Sequence, residues 1–241
     1  MRRWLLLCCL LPASPLFAQT IVLDANFDSH TVDAPVGEGG ATAGEPVSAD
    51  ASLLPTIRST PFPTPSLELQ DTVDFGARFV QFTFAPEIEY ASGIVTMQMD
   101  LWFKEMDDYL VYVRRVSSSA EQFLNVRFDA SGFCVVSDEG GTVLSHANSY
   151  TVDQPVSLQV IFDMDAGTYD LSLDGALLVD DQPHDVDASL GVGSIYVGMN
   201  HDADLDGLLY LDNLLVTATV PTAVSRISIG ELKSLFAEPS P

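Results

Sequence analysis

Between Ile21 and Val220 apolar and polar residues alternate in short runs, each ended by a turn signal after about 8 to 12 residues. Few segments carry the 3.6-residue spacing of an amphipathic helix. Alternation with period two gives a strand one apolar and one polar face. Strands of that kind must bury their apolar faces against one another, and two antiparallel sheets do so as a sandwich or barrel. The pattern therefore predicts an all-β, antiparallel sandwich. Strands are expected over 20–27, 66–69, 78–84, 93–103, 109–116, 122–128, 132–136, 142–146, 156–163, 168–173, 176–179, 194–199 and 208–217. Turn signals stand at 129–132, 139–141 and 165–167. Asp174-Gly175 between two apolar runs is a two-residue hairpin signal, because both central positions need positive φ. The stretch 28–65, rich in Pro, Gly, Ala and Ser, reads as an extended loop with one short edge strand.

The same period assigns faces. In 96–104, Met97, Met99, Leu101 and Phe103 share the core side, while Thr96, Gln98, Asp100, Trp102 and Lys104 share the polar side. In 122–129, Leu124, Val126 and Phe128 point inward, and Phe123, Asn125, Arg127 and Asp129 point away. The run 208–216 is apolar on both faces and is expected to be central and covered.

The two ends follow other rules. Met1-Arg2-Arg3 is a basic start, Trp4 to Leu11 an unbroken apolar run, and Pro12 to Ala18 supplies breakers and small residues. This is the layout of a secretory signal peptide, residues 1–18, and it predicts a secreted, periplasmic or extracellular protein. A membrane span needs about 20 apolar residues, more than this run offers. The sandwich is then expected over 19–219. Residues 220–241 read as a linker and a short C-terminal helix, in which Ser228 and Glu231 fit a capping box. Cys8 and Cys9 leave with the signal peptide, so Cys134 stands alone and the fold rests on its core rather than on disulfides.

The chain carries 10 Lys and Arg against 34 Asp and Glu, for a net charge of −24, and loss of Arg2 and Arg3 makes it −26. Nucleic acid and anionic lipid both require clustered cations, so the balance argues against either as a partner. It suits solubility and divalent cations.

The stretch from Val156 through Asp163, Gly167 and Asp174-Gly175 to Val179 resembles the laminin-G and concanavalin A-like lectin/glucanase superfamily. Asn26-Phe27-Asp28 and Tyr210-Leu211-Asp212-Asn213-Leu214 resemble pieces of its exported bacterial members. The resemblance implies a jelly-roll sandwich with one concave face and with first and last strands side by side. It selects no function, because the fold hosts lectins, lyases, glucanases and adhesion modules.

Three constellations bear on chemistry. Asp202, Asp204 and Asp206 alternate before Gly207 as in the first half of an EF-hand-like loop. Position twelve is Asn213 rather than Glu, so the reading is a calcium loop of another type or a solvated acidic hairpin. The resemblance also implies a calcium ion held between the terminal strands by Asp28 and Asp212. The second constellation is a binding face. Trp102 stands on a polar strand face with Gln98 and Asp100, and such a ring stacks on sugar CH groups while polar neighbours bond hydroxyls. Lys104, Arg114, Arg115 and Arg127 are half of the basic residues that remain after processing. With Asn125 they form either a patch for the carboxylate or sulfate of an anionic polysaccharide, or cross-strand ion pairs with Trp102 under a loop. Third, Glu87 and Glu89 on one strand would set two carboxylates roughly 6 to 7 Å apart, as in paired-acid glycosidases, but Ala91 stands where the superfamily's third acid belongs. The alginate-lyase strand patterns are missing, and the four histidines show no ligand spacing.

The expected function is therefore an exported, non-catalytic carbohydrate-binding module with a structural calcium. A polysaccharide-cleaving enzyme of the same fold and a structural or adhesive envelope protein are the alternatives. No organic cofactor is expected.

Overall fold

The computed structural model describes residues 17–37, 44–72, 76–85, 88–116, 121–137, 142–187, 189–201 and 207–221. In chain order the strands are β1 (Phe17–Ala25), β2 (Ser48–Ala49), β3 (Thr56–Arg58), β4 (Ser66–Gln70) and β5 (Gly76–Thr83). Next come β6 (Ile94–Phe103), β7 (Tyr109–Arg114), β8 (Gln122–Phe128), β9 (Phe133–Ser137) and β10 (Val143–Ser149). The last five are β11 (Pro155–Asp163), β12 (Thr168–Leu173), β13 (Ala176–Pro183), β14 (Ser194–His201) and β15 (Leu208–Pro221). Among the described residues, the long loop holds two short strands, β2 and β3, where one was expected, and a 3-10 turn at Ala51–Leu53.

Two antiparallel sheets pack as a jelly-roll sandwich. The first has eight strands in the order β13-β12-β11-β6-β15-β4-β3, with β1 also paired to β15. The second has seven, ordered β10-β9-β8-β7-β14-β5-β2. β15 is central, as its two apolar faces required. One of its sides carries β6, and the other carries β4 along Leu208–Leu211 and β1 along Leu214–Pro221. A bulge between Asp212 and Leu215 marks the change of partner. First and last strands thus lie side by side.

The core fills the space between the sheets. Met97, Met99, Leu101 and Phe103 of β6 face Val111 and Val113 of β7 and Ile195, Val197 and Met199 of β14 within one buried cluster. At one end the Phe103 ring lies 4.7 Å from Tyr109 and Tyr150 and 4.8 Å from Phe128. The Tyr109 hydroxyl donates to the Glu105 carbonyl and accepts from the Leu208 amide, so these buried rings keep their polar atoms bonded. One face assignment fails. Phe123 is 2% exposed and points into the core, edge-on to Phe162 at 6.4 Å. The cause is a register shift at Val113/Arg114 in the β7–β8 ladder, which breaks the period-two pattern at that point.

No helix among the described residues is long and apolar enough to cross a membrane. The expected signal peptide up to Leu16 and the expected C-terminal helix lie outside the described residues.

Candidate functional site

The outer face of the second sheet carries a groove of about 390 Å³. Its walls come from Ala77 on β5, Asn200 on β14, Leu110 and Tyr112 on β7, Asn125 and Arg127 on β8, Ser137 on β9 and Val143 on β10. It therefore crosses five strand spacings, a length of about 24 Å. Cross-strand register builds the floor. Tyr112 is opposite Tyr196 on one side and Asn125 on the other. Tyr196 is in turn opposite Gln81, and Asn125 opposite Ser137. Because all of these residues are in register at alternate positions, their side chains share the solvent face.

A cluster of three rings rises beside the groove. Phe79 lies 5.2 Å from Tyr112 and 6.0 Å, edge-on, from Tyr196. Gly198 lets β5 and β14, which carry two of them, approach closely. It sits between Leu110 and Phe79 across the sheet, and a Cβ there would collide with the Arg78 backbone. Sequence reasoning missed Phe79, Tyr112 and Tyr196. Each stands at an outward position of a half-buried strand, and only the register shows that three separate strands bring them together.

Arg114 crowns this cluster. Its guanidinium carbon lies 4.6 Å from the Tyr112 ring centre and 4.9 Å from that of Tyr196. Burial pulls its pKa down, an effect partly opposed by the two tyrosines, and burial likewise pushes Tyr112 up. The other three cations of the predicted patch are engaged in ion pairs. Lys104 Nζ meets Asp153, Arg115 Nε meets Glu89 at 3.0 Å, and Arg127 Nε meets Asp108 at 3.1 Å. For these three, cross-strand ion pairing is what the structure contains.

Gln98, Asp100 and Trp102 lie on the outer face of the other sheet, so no single ligand touches them together with Arg114, Asn125 and Arg127. That face is partly covered there. The loop before β4 sets Phe62 edge-on against Trp102 at 5.6 Å, and Phe62 is itself 6% exposed. Trp102 is under a loop rather than open for stacking.

Beneath the same loop is an acidic nest. Asp212 is fully buried, with its Oδ2 accepting from Thr64 Oγ1 at 2.8 Å and its Oδ1 from the Asn213 amide at 2.8 Å. Asp100 Oδ2 accepts from Asn213 Nδ2 at 2.9 Å. Burial raises the Asp212 pKa, the two hydrogen bonds oppose the rise, and the charges of Asp28 and Asp100 add to it. The charge of Asp28 is thus felt at Asp212. The positive φ of Asn213, 52°, is the bulge that turns Asp212 under the loop. Asp202, Asp204 and Asp206 lie outside the described residues.

The expected Glu87–Glu89 pair falls only partly within the described residues. Glu87 lies outside the described residues, and Glu89 sits in an irregular segment that meets Arg115. Only the next residue, Tyr90, bridges to Val192. Cys134 is buried in β9, and burial pushes its thiol up to about 12, too high for a nucleophile. One further acidic group, Asp170, Asp180 and Asp181, lies near the sheet edge formed by β12 and β13.

No family model and no curated protein matches the sequence. Solved structures do match in shape. A carbohydrate esterase from the Shiga toxin-encoding bacteriophage phi24B superposes with a TM-score of 0.56 at 9% identity, over 83% of this chain and 99% of that one. A family 7 alginate lyase gives 0.52 at 8% identity, over 83% and 94%. A sialidase gives 0.54 at 12% identity over 81% of this chain, which spans only 18% of the sialidase. At these identities the likeness is one of fold.

Proposed function

We propose that this chain is an exported carbohydrate-binding module whose ligand lies along the outer face of the second sheet. The observation that carries the reading is the groove across six strands, flanked by Phe79, Tyr112 and Tyr196 and lined by Asn125, Arg127 and Asn200. Polysaccharides have apolar CH faces and hydroxyl edges, and an aromatic cluster beside amide and guanidinium groups complements both. Neighbours of the same fold are described as acting on carbohydrates, which supports the ligand class. A binding role fits better than cleavage, because Glu89 is neutralised by Arg115 and Cys134 is inert.

Binding to a glycan array spanning neutral glucans, uronate polymers and sulfated galactans tests the proposal. Selective retention is expected, and Tyr112→Ala should weaken it by about 30-fold, as for a central aromatic anchor. Absence of binding across the array, together with a protein partner captured by crosslinking, would move the assignment to an adhesive envelope protein.

We also propose a structural calcium ion beside Asp212. Asp28, Asp100, Asp212 and Asn213 offer only oxygen ligands, and each Asp212 oxygen that accepts one hydrogen bond keeps a second lone pair. A hard dication would also offset the burial and the neighbouring carboxylate charges that raise the Asp212 pKa.

A further inference from the structure

Arg114 stands apart from every other described cation. Arg58 pairs with Asp33 and Glu68, Arg78 with Asp50, Lys104 with Asp153, Arg115 with Glu89, and Arg127 with Asp108. Among the described residues only Arg114 has no carboxylate within ion-pair distance. Its Nε is buried and has no hydrogen-bond acceptor. In a chain with 34 acidic side chains, a half-buried guanidinium without one of them is not a matter of supply. Desolvating a charge and leaving its donors unbonded costs stability. The two tyrosine rings recover part of that through cation–π attraction, but they leave the Nε donor without an acceptor.

An edge of parallel N–H donors matches a carboxylate fork to fork. The guanidinium is also placed where a sugar polymer would meet it. Tyr112, on which it stacks, is itself a wall of the groove, together with Asn125 and Arg127. Arg127 is less suited to the task because Asp108 already takes its Nε. We propose that Arg114 reads a carboxylate on the bound polysaccharide, so that the ligand of this face is a uronate-containing polymer; this rests on the carbohydrate-binding reading above. The acidity of the rest of the molecule sharpens the selection, since an anionic chain is repelled everywhere except where a cation is stacked and uncompensated.

The test compares polygalacturonate and polymannuronate with the same polymers after chemical reduction of their carboxyl groups, using the full chain at fixed ionic strength. The acid forms should bind at least about tenfold tighter than the reduced forms. Arg114→Gln should remove most of that difference, weakening the acid forms far more than the reduced ones. Arg114→Lys, which keeps the charge and the fold but loses the fork, should fall between them, and it decides the matter if the Gln variant fails to fold. Tyr112→Ala should weaken both forms. Equal affinity for acid and reduced polymers, insensitive to Arg114, would overturn the carboxylate assignment and leave carbohydrate binding standing. Preference for a sulfated galactan over both uronates would also overturn it. Failure of every polymer to bind would bring down the underlying reading as well.

Discussion

His184 shows how one side chain couples the sandwich to pH. It follows β13 at the mouth between the two sheets, with its ring edge-on to Phe123 at 5.0 Å. Burial holds its pKa below the ordinary histidine value, while backbone contacts at Val186 and the charge of Asp185 oppose the shift. The unfolded chain therefore takes up the proton more readily than the folded one. Stability from this residue is complete above about pH 6.5 and declines as pH falls below it toward the depressed folded value. Chemical unfolding between pH 5 and 8 should show this slope, and His184→Phe should flatten it; an unaltered slope would reject the assignment. At this scale the sequence is a partial guide. Met97, Met99, Leu101 and Phe103 are readable as core because period two holds along β6, whereas Phe123 is misread because a bulge interrupts it. The isolation of Arg114 is not readable at all. Whether a cation is paired depends on carboxylates such as Asp153, 49 residues from Lys104, that only the folded sheet brings near.

Two glycines separate local from cross-strand demands at the scale of elements. Asp174 and Gly175 join β12 and β13 with φ of 50° and 77°, the conformation that the dipeptide predicted. Nothing lies within 4 Å of where a Gly175 Cβ would stand, so Gly175→Ala should cost only backbone strain, about 1 kcal/mol. Gly198 has no such freedom, because its Cβ would run into the Arg78 backbone of β5. Gly198→Ala should cost roughly 2 to 3 kcal/mol as β14 and β5 move apart, and it should weaken glycan binding by shifting Phe79 against Tyr196. Urea unfolding of the two variants gives the comparison, and equal losses would show that the ladder absorbs the methyl group. Strand existence was legible throughout β4 to β15, since each run carries its own alternation and turn. The order of strands across each sheet was not, because pairing is decided by partners far along the chain. That is why the ring cluster on β5, β7 and β14 escaped notice while the individual strands did not.

For the molecule as a whole, the acidic nest under the Phe62 loop joins three parts of one sheet: the exit from β1, the middle of β6 and the bulge of β15. A calcium ion bound there would tie them together and stabilise the native state by mass action. Millimolar calcium should raise the melting temperature by several degrees over the same protein in EDTA, and Asp212→Asn should abolish the difference. Identical melts with and without calcium would remove the ion from the account. The all-β sandwich was legible in the sequence, and the adjacency of its terminal strands was implied by the resemblance. The division of the polar candidates between opposite outer faces was not, because Trp102 and Arg127 are both outward-facing by periodicity and only the topology assigns them to different sheets.

The position of β15 between β6 and β1 has a consequence for how the molecule is made. β1 finds its partner in Leu214–Pro221, nearly the whole chain away, and the β6 edge opposite it waits for the same segment. A chain emerging from the ribosome or crossing a membrane N-terminus first therefore cannot close its first sheet until the last strand arrives. Until then the edges of β1, β4 and β6 that face β15 remain open to other chains. Closure over so large a sequence separation is slow, so the time for which those edges stay exposed is set by the arrival of the last strand, not by the stability of the finished sandwich.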